Sequence, residues 1–76
     1  MNKDRRKRIE EVMLNLSESR VELESILEEE QEAFDNLPEG IQESERGEVM
    51  NEAIDNLQSA TDCFDDIESS LNEAQN

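Results

Sequence analysis

Five carboxylates carry the one spacing in this chain that could organise metal chemistry. They are Glu28, Glu29 and Glu32, followed after nineteen residues by Glu52 and Asp55. Carboxylates supplied by two neighbouring helices can hold Mg²⁺ against a triphosphate, where the ion neutralises charge and orients the phosphoryl group. That chemistry needs company. Phosphate needs a nearby cation, and a base needs a ring to stack on. No Lys or Arg beside these residues is placed to hold phosphate, and the chain has no Trp or Tyr. Glu is also so frequent that loose acidic spacings arise easily. The plainer reading of the five is a solvated acidic face.

The other chemical candidates are weaker. Asp62, Asp65 and Asp66 lack calcium-loop spacing. The stretch from Asp35 to Arg46 has Gly40 in sixth place, as an EF-hand loop requires, but Leu37 and Arg46 stand where ligands belong. There is no His and only one Cys, Cys63, so a structural zinc site and a disulfide framework are both excluded. With no His or Lys nearby to lower its pKa, Cys63 reads as a small buried apolar residue. No metal and no cofactor is expected.

Charge limits the partners more than any motif. Lys3, Arg5, Arg6, Lys7 and Arg8 hold five of the seven cations. From Ile9 to Asn76 there are 21 acids against Arg20 and Arg46, a formal charge of −19. Phosphate contacts require cations, so nucleic acid and anionic membrane surfaces suit this surface poorly. Basic protein surfaces, including sites that otherwise hold nucleic acid, suit it well. The run KDRRKR reads as a solvated or intramolecularly paired end. The N-terminal stretch lacks the apolar segment of a signal peptide, because Glu10 and Glu11 interrupt it. Nothing approaches the ~20 apolar residues of a membrane span. The expectation is a soluble cytoplasmic protein.

The elements that must position these residues are helices. From Met50 the apolar positions are Met50, Ala53, Leu57, Ala60, Phe64, Ile67, Leu71 and Ala74, in alternating steps of three and four. That is the seam of a heptad repeat. The first half has a similar series at Ile9, Met13, Leu16, Arg20, Leu23, Leu27, Glu30, Phe34 and Leu37. Arg20 and Glu30 interrupt it, and snorkelling to solvent is the plainer account of both. Val12, Ile26 and Ala33 widen it. Between the two lies LPEGIQES. Pro38 disfavours helix at Leu37, Gly40 permits a left-handed turn, and Ser44 can cap the second helix. A short helical turn at 38–43 fits before Ser44. Gly47 inside the second helix costs about 1 kcal/mol and softens its start.

The expectation is an all-α domain over 1–76: helix at about 4–36, turn at about 37–44, helix at about 45–74. The short connection makes the helices antiparallel. Residue numbers that meet then add to about 87, which places EAFDNL (32–37) beside EAIDNL (52–57). The expected core of this hairpin, with coiled-coil-like packing, is Leu16, Leu23, Leu27, Phe34, Leu37, Met50, Ala53, Leu57, Ala60, Phe64, Ile67 and Leu71. Large residues repeatedly face alanine. The register also sets the basic N-terminus beside Asp65, Asp66, Glu68 and Glu73. Apolar surface remains uncovered by one hairpin. Dimerisation into a four-helix bundle would cover it, although the net charge opposes self-association.

Two resemblances bear on function. EExxE…ExxD at 28–55 resembles the magnesium-binding signature of all-α NTP pyrophosphatases, the MazG-like and dimeric dUTPase group. In this phase Glu52 and Asp55 face away from the first helix. Separately, EEEQEAFDNLPE, then Gln42, Ser44, Glu45 and Gly47, then EAIDNL resemble small acidic proteins carried by phages, prophages and conjugative transposons of Gram-positive bacteria. That resemblance spans about 22–60 and implies a mobile-element accessory protein, with no activity attached. The favoured function is a non-enzymatic interaction module that binds a basic protein surface, with Glu28, Glu29, Glu32, Glu52 and Asp55 as its candidate face. The alternatives are a magnesium-dependent nucleotide hydrolase and a self-assembling structural bundle.

Overall fold

The computed structural model describes residues 1–76 and contains helix and turn only. Its elements are α1 (Lys3–Asp35), α2 (Glu39–Gln42) and α3 (Glu45–Ala74). The molecule is long and thin, 58 × 16 × 12 Å. No helix is long and apolar enough to cross a membrane.

α1 runs 33 residues without Gly or Pro. Asn2 starts it by accepting the Arg5 backbone N–H on Oδ1 at 2.8 Å, which satisfies one of the orphan donors of a helix start. Pro38 lies two residues beyond the C-cap Asn36 and prevents continuation. The reversal then differs from the expected left-handed glycine turn. No residue has positive φ, and Gly40 lies within α2. The chain turns instead through right-handed caps at Asn36 and Glu43 on either side of one helical turn.

Two further contacts lock this end. The Gln42 side-chain amide donates to the Phe34 carbonyl at 3.0 Å and the Asp35 carbonyl at 3.4 Å. It thereby satisfies acceptors at the end of α1 that have no partner within that helix. Gly47 is buried, and a Cβ there would sit 1.9 Å from the Gln42 carbonyl oxygen. Gly47 is therefore the residue that lets α3 touch α2, rather than a soft spot in α3. Ser44 occupies the N-cap of α3 but makes no side-chain cap bond; its hydroxyl donates to the Ile41 carbonyl.

α1 and α3 lie side by side. Gln75 Nε2 donates to Met13 Sδ at 3.4 Å, and Arg20 pairs with Asp65 and Glu68. Residue numbers that meet thus add to about 87: 13 with 75, and 20 with 65 and 68. On α1 the covered residues are Ile9, Met13, Leu16, Arg20, Leu23, Leu27, Glu30 and Phe34, and Leu37 just beyond its end is covered too. On α3 they are Gly47, Met50, Ala53, Ile54, Leu57, Thr61, Phe64, Glu68 and Leu71, with Gln75 at its C-cap.

Three of the eight expected α3 seam residues are therefore displaced. Met50, Ala53, Leu57, Phe64 and Leu71 are covered, but Ala60, Ile67 and Ala74 are exposed. Ile54, Thr61, Glu68 and Gln75 complete the seam instead. The rotation buries Ile54, the one apolar side chain that counts as buried, at 9% exposure. A large aliphatic group gains more from burial than alanine does. The rotation also brings Glu68 to Arg20. Thr61 tolerates burial because its hydroxyl donates to the Leu57 carbonyl at 2.9 Å.

Candidate interaction surface

The cluster with the most defined geometry is one that spacing does not mark as a site. Arg20 Nε donates to Glu24 Oε1 at 3.0 Å, Nη1 donates to Asp65 Oδ1 at 2.6 Å, and Glu68 Oε2 lies 3.7 Å away. Arg20 thus crosses to α3 rather than snorkelling to solvent, and it anchors the register of the two long helices. Its pKa is raised, chiefly by the bond to Asp65 and then by that to Glu24. The folded value exceeds the unfolded one, so the arginine's contribution is complete at neutral pH and is lost as pH rises into strong alkali. Glu24 and Asp65 are exposed, so this is a positioning cluster on one long side of the molecule.

The five carboxylates at 28, 29, 32, 52 and 55 are all exposed. They lie off the seam on both long helices, and the rotation of α3 turns Glu52 further outward. Nowhere do three or more His, Cys, Asp or Glu side chains come together to hold a metal ion. Asp62, Asp65 and Asp66 likewise remain separate: Asp65 is held by Arg20, while Gln58 Nε2 donates to Asp62 Oδ1 at 3.1 Å. What the arrangement offers is an extended, hydrated array of negative charge on a rigid rod.

The basic end is placed differently from the expectation. With partners adding to about 87, Lys3–Arg8 would need residues near 80, past the end of α3 at Ala74. None of Lys3, Arg5, Arg6, Lys7 and Arg8 forms an ion pair. They project on an overhang of α1 about ten residues long, roughly 15 Å at the helical rise. A shallow groove there is lined by Met1, Arg5, Arg8, Ile9 and Val12. Cys63, expected in the core, is exposed, because the rotation of α3 carries it away from α1.

Neither Gln42 nor Gly47 is marked as a contact by the heptad spacing. Their roles depend on a close approach that spacing does not reveal. No family model, curated protein or solved structure matches the chain.

Proposed function

We propose that this protein is a non-enzymatic acidic interaction module: an antiparallel helical hairpin with coiled-coil-like packing that binds a basic protein surface in the cytoplasm. One observation carries the reading. Residues 9–76 bear 21 acids against two cations, and the carboxylates stand outward on a rod 58 Å long. Such a surface can track a groove that otherwise holds nucleic acid, using the partner's own cations. The likeness of the central stretch to small acidic proteins of mobile elements supports an accessory role, such as occupying a site on a host or defence protein.

The test is capture by the immobilised chain across a salt series, with DNA or RNA as competitor. Captured proteins should be basic, elute as salt rises, and be displaced by nucleic acid. Glu28→Lys combined with Asp55→Lys should slow association while helix content stays constant. Capture that is indifferent to both salt and nucleic acid counts against the reading. The EExxE…ExxD spacing keeps one alternative in view. Turnover of an NTP with Mg²⁺, abolished by Glu29→Gln or Asp55→Asn, would favour the hydrolase.

A further inference from the structure

The two long sides of the helix pair are unlike. One is the polar side, where Arg20 reaches Glu24 and Asp65 together. Heptad spacing places the opposite side three residues after Ile9, Leu16 and Leu23 on α1 and three after Leu57, Phe64 and Leu71 on α3. There Ile26 lies level with Ala60, Ile67 with Ser19, and Val12 with Ala74. All six are exposed, including Val12 at 50%, Ile67 at 41% and Ile26 at 40%. Each level thus presents one branched aliphatic side chain beside one small one.

We propose that a second copy of this chain docks on that side, running in the opposite direction, to close a two-fold symmetric four-helix bundle. Four observations single out this occupant. The chain exposes 5731 Å², whereas a compact monomer of its mass exposes about 4,800 Å². The excess, about 900 Å², is close to the roughly 800 Å² that each partner gives to a standard interface. A core this small is marginal, and a disulfide, a metal or another subunit strengthens it; one cysteine cannot make a disulfide within the chain.

Charge supplies the third observation. Seven acids lie between Val49 and Asn76, yet none occupies this side of α3. The positions flanking the small residues are Val49, Asn56, Cys63 and Ser70, all uncharged. On α3 this leaves one uncharged strip where a copy can approach, whereas Glu22 and Glu29 flank the corresponding strip of α1.

The overhang supplies the fourth, by fixing direction. If the copies ran the same way, five cations would lie beside five cations. In opposite directions, a two-fold axis level with Leu23 and Cys63 sets Ile26 against the partner's Ser19, and Ile67 against the partner's Ala60. Large meets small at each contact, as interdigitated layers require. The same axis lays the basic overhang over the partner's turn, where Glu39 and Glu43 are exposed and Ile41 is open at 39%. The −15 charge of each copy opposes the association, and this local pairing of opposite charges offsets part of it.

Sedimentation equilibrium of the isolated chain at physiological salt tests the pairing, without any other protein present. It therefore stands apart from whether a basic partner is captured. The expected mass is twice 8.8 kDa; a monomer at every concentration up to the solubility limit overturns the proposal. Ile67→Lys should weaken the dimer about a hundredfold, and Glu52→Lys should not; equal dimers in both overturn the assigned face. A short bismaleimide on the reduced wild-type chain should join Cys63 to the partner's Cys63, and Cys63→Ser should abolish the product. This reading does not depend on how any variant folds. A dimer in which Cys63 fails to cross-link overturns the opposite-direction arrangement.

Discussion

The two ends of this rod are built by different means. At the turn end, Gln42 binds the last carbonyls of α1, Ser44 binds Ile41, and Gly47 lets α3 rest on the Gln42 backbone. Three consecutive elements are held by hydrogen bonds and close approach. At the other end the seam closes with Gln75 on Met13 and Leu71, and α1 continues alone. One end is specified by backbone geometry, the other by a few side chains and charge. Residues of low hydrophobicity therefore decide the end that spacing alone describes least.

The largest expected loss lies between the two ends. Phe64→Asp places a charge in the seam beside Leu23, which should cost several kcal/mol and remove the cooperative melt. Circular dichroism at neutral pH checks it. Gly47→Val should be next. The side chain meets backbone rather than a mobile side chain, so α3 must shift, at a cost of about 1–3 kcal/mol or more. A melting temperature equal to wild type would show that the turn end is looser than described. Gln42→Ala should cost about 1 kcal/mol by releasing its bonds to α1, and amide exchange should rise near residues 34–47 before it rises elsewhere. Removing residues 1–8 should change the melting temperature of the helix pair least, since those residues touch nothing in α3. A loss as large as that of Gly47→Val would show that the overhang is held. Such a loss appearing only at dimeric concentrations would place the contact between copies.

These variants also mark what spacing can reveal. The eight covered positions of α1, with Leu37 beyond it, are those of its apolar series, Arg20 and Glu30 included. The cleaner series on α3 is the misleading one. Alanine counts as apolar in a periodic pattern but has little to bury, so Ala53, Ala60 and Ala74 lend regularity to a face that packs poorly. Ile54 and the match of Glu68 to Arg20 rotate the helix away from it. A polar pair across a seam is invisible when each helix is read alone. Gly47 misleads for a related reason: its cost within a helix is local, while its purpose lies in a contact with Gln42 across the turn. The outward carboxylates need no such geometry, since charge this dense stays in water whatever the phase.

The placement of both chain ends at the open end has a mechanical consequence. A pull applied through Met1 and Asn76 reaches the seam first at Met13 and Gln75 and loads one layer of contacts at a time. Each layer gives before the next is strained, so the pair should part like a zipper at low force, with Arg20 an early obstacle. A pull between the turn and either end would instead shear many layers at once. The same molecule is thus compliant along one route and stiff along the other, and the last contact to fail along the compliant route is the glycine seat at residue 47.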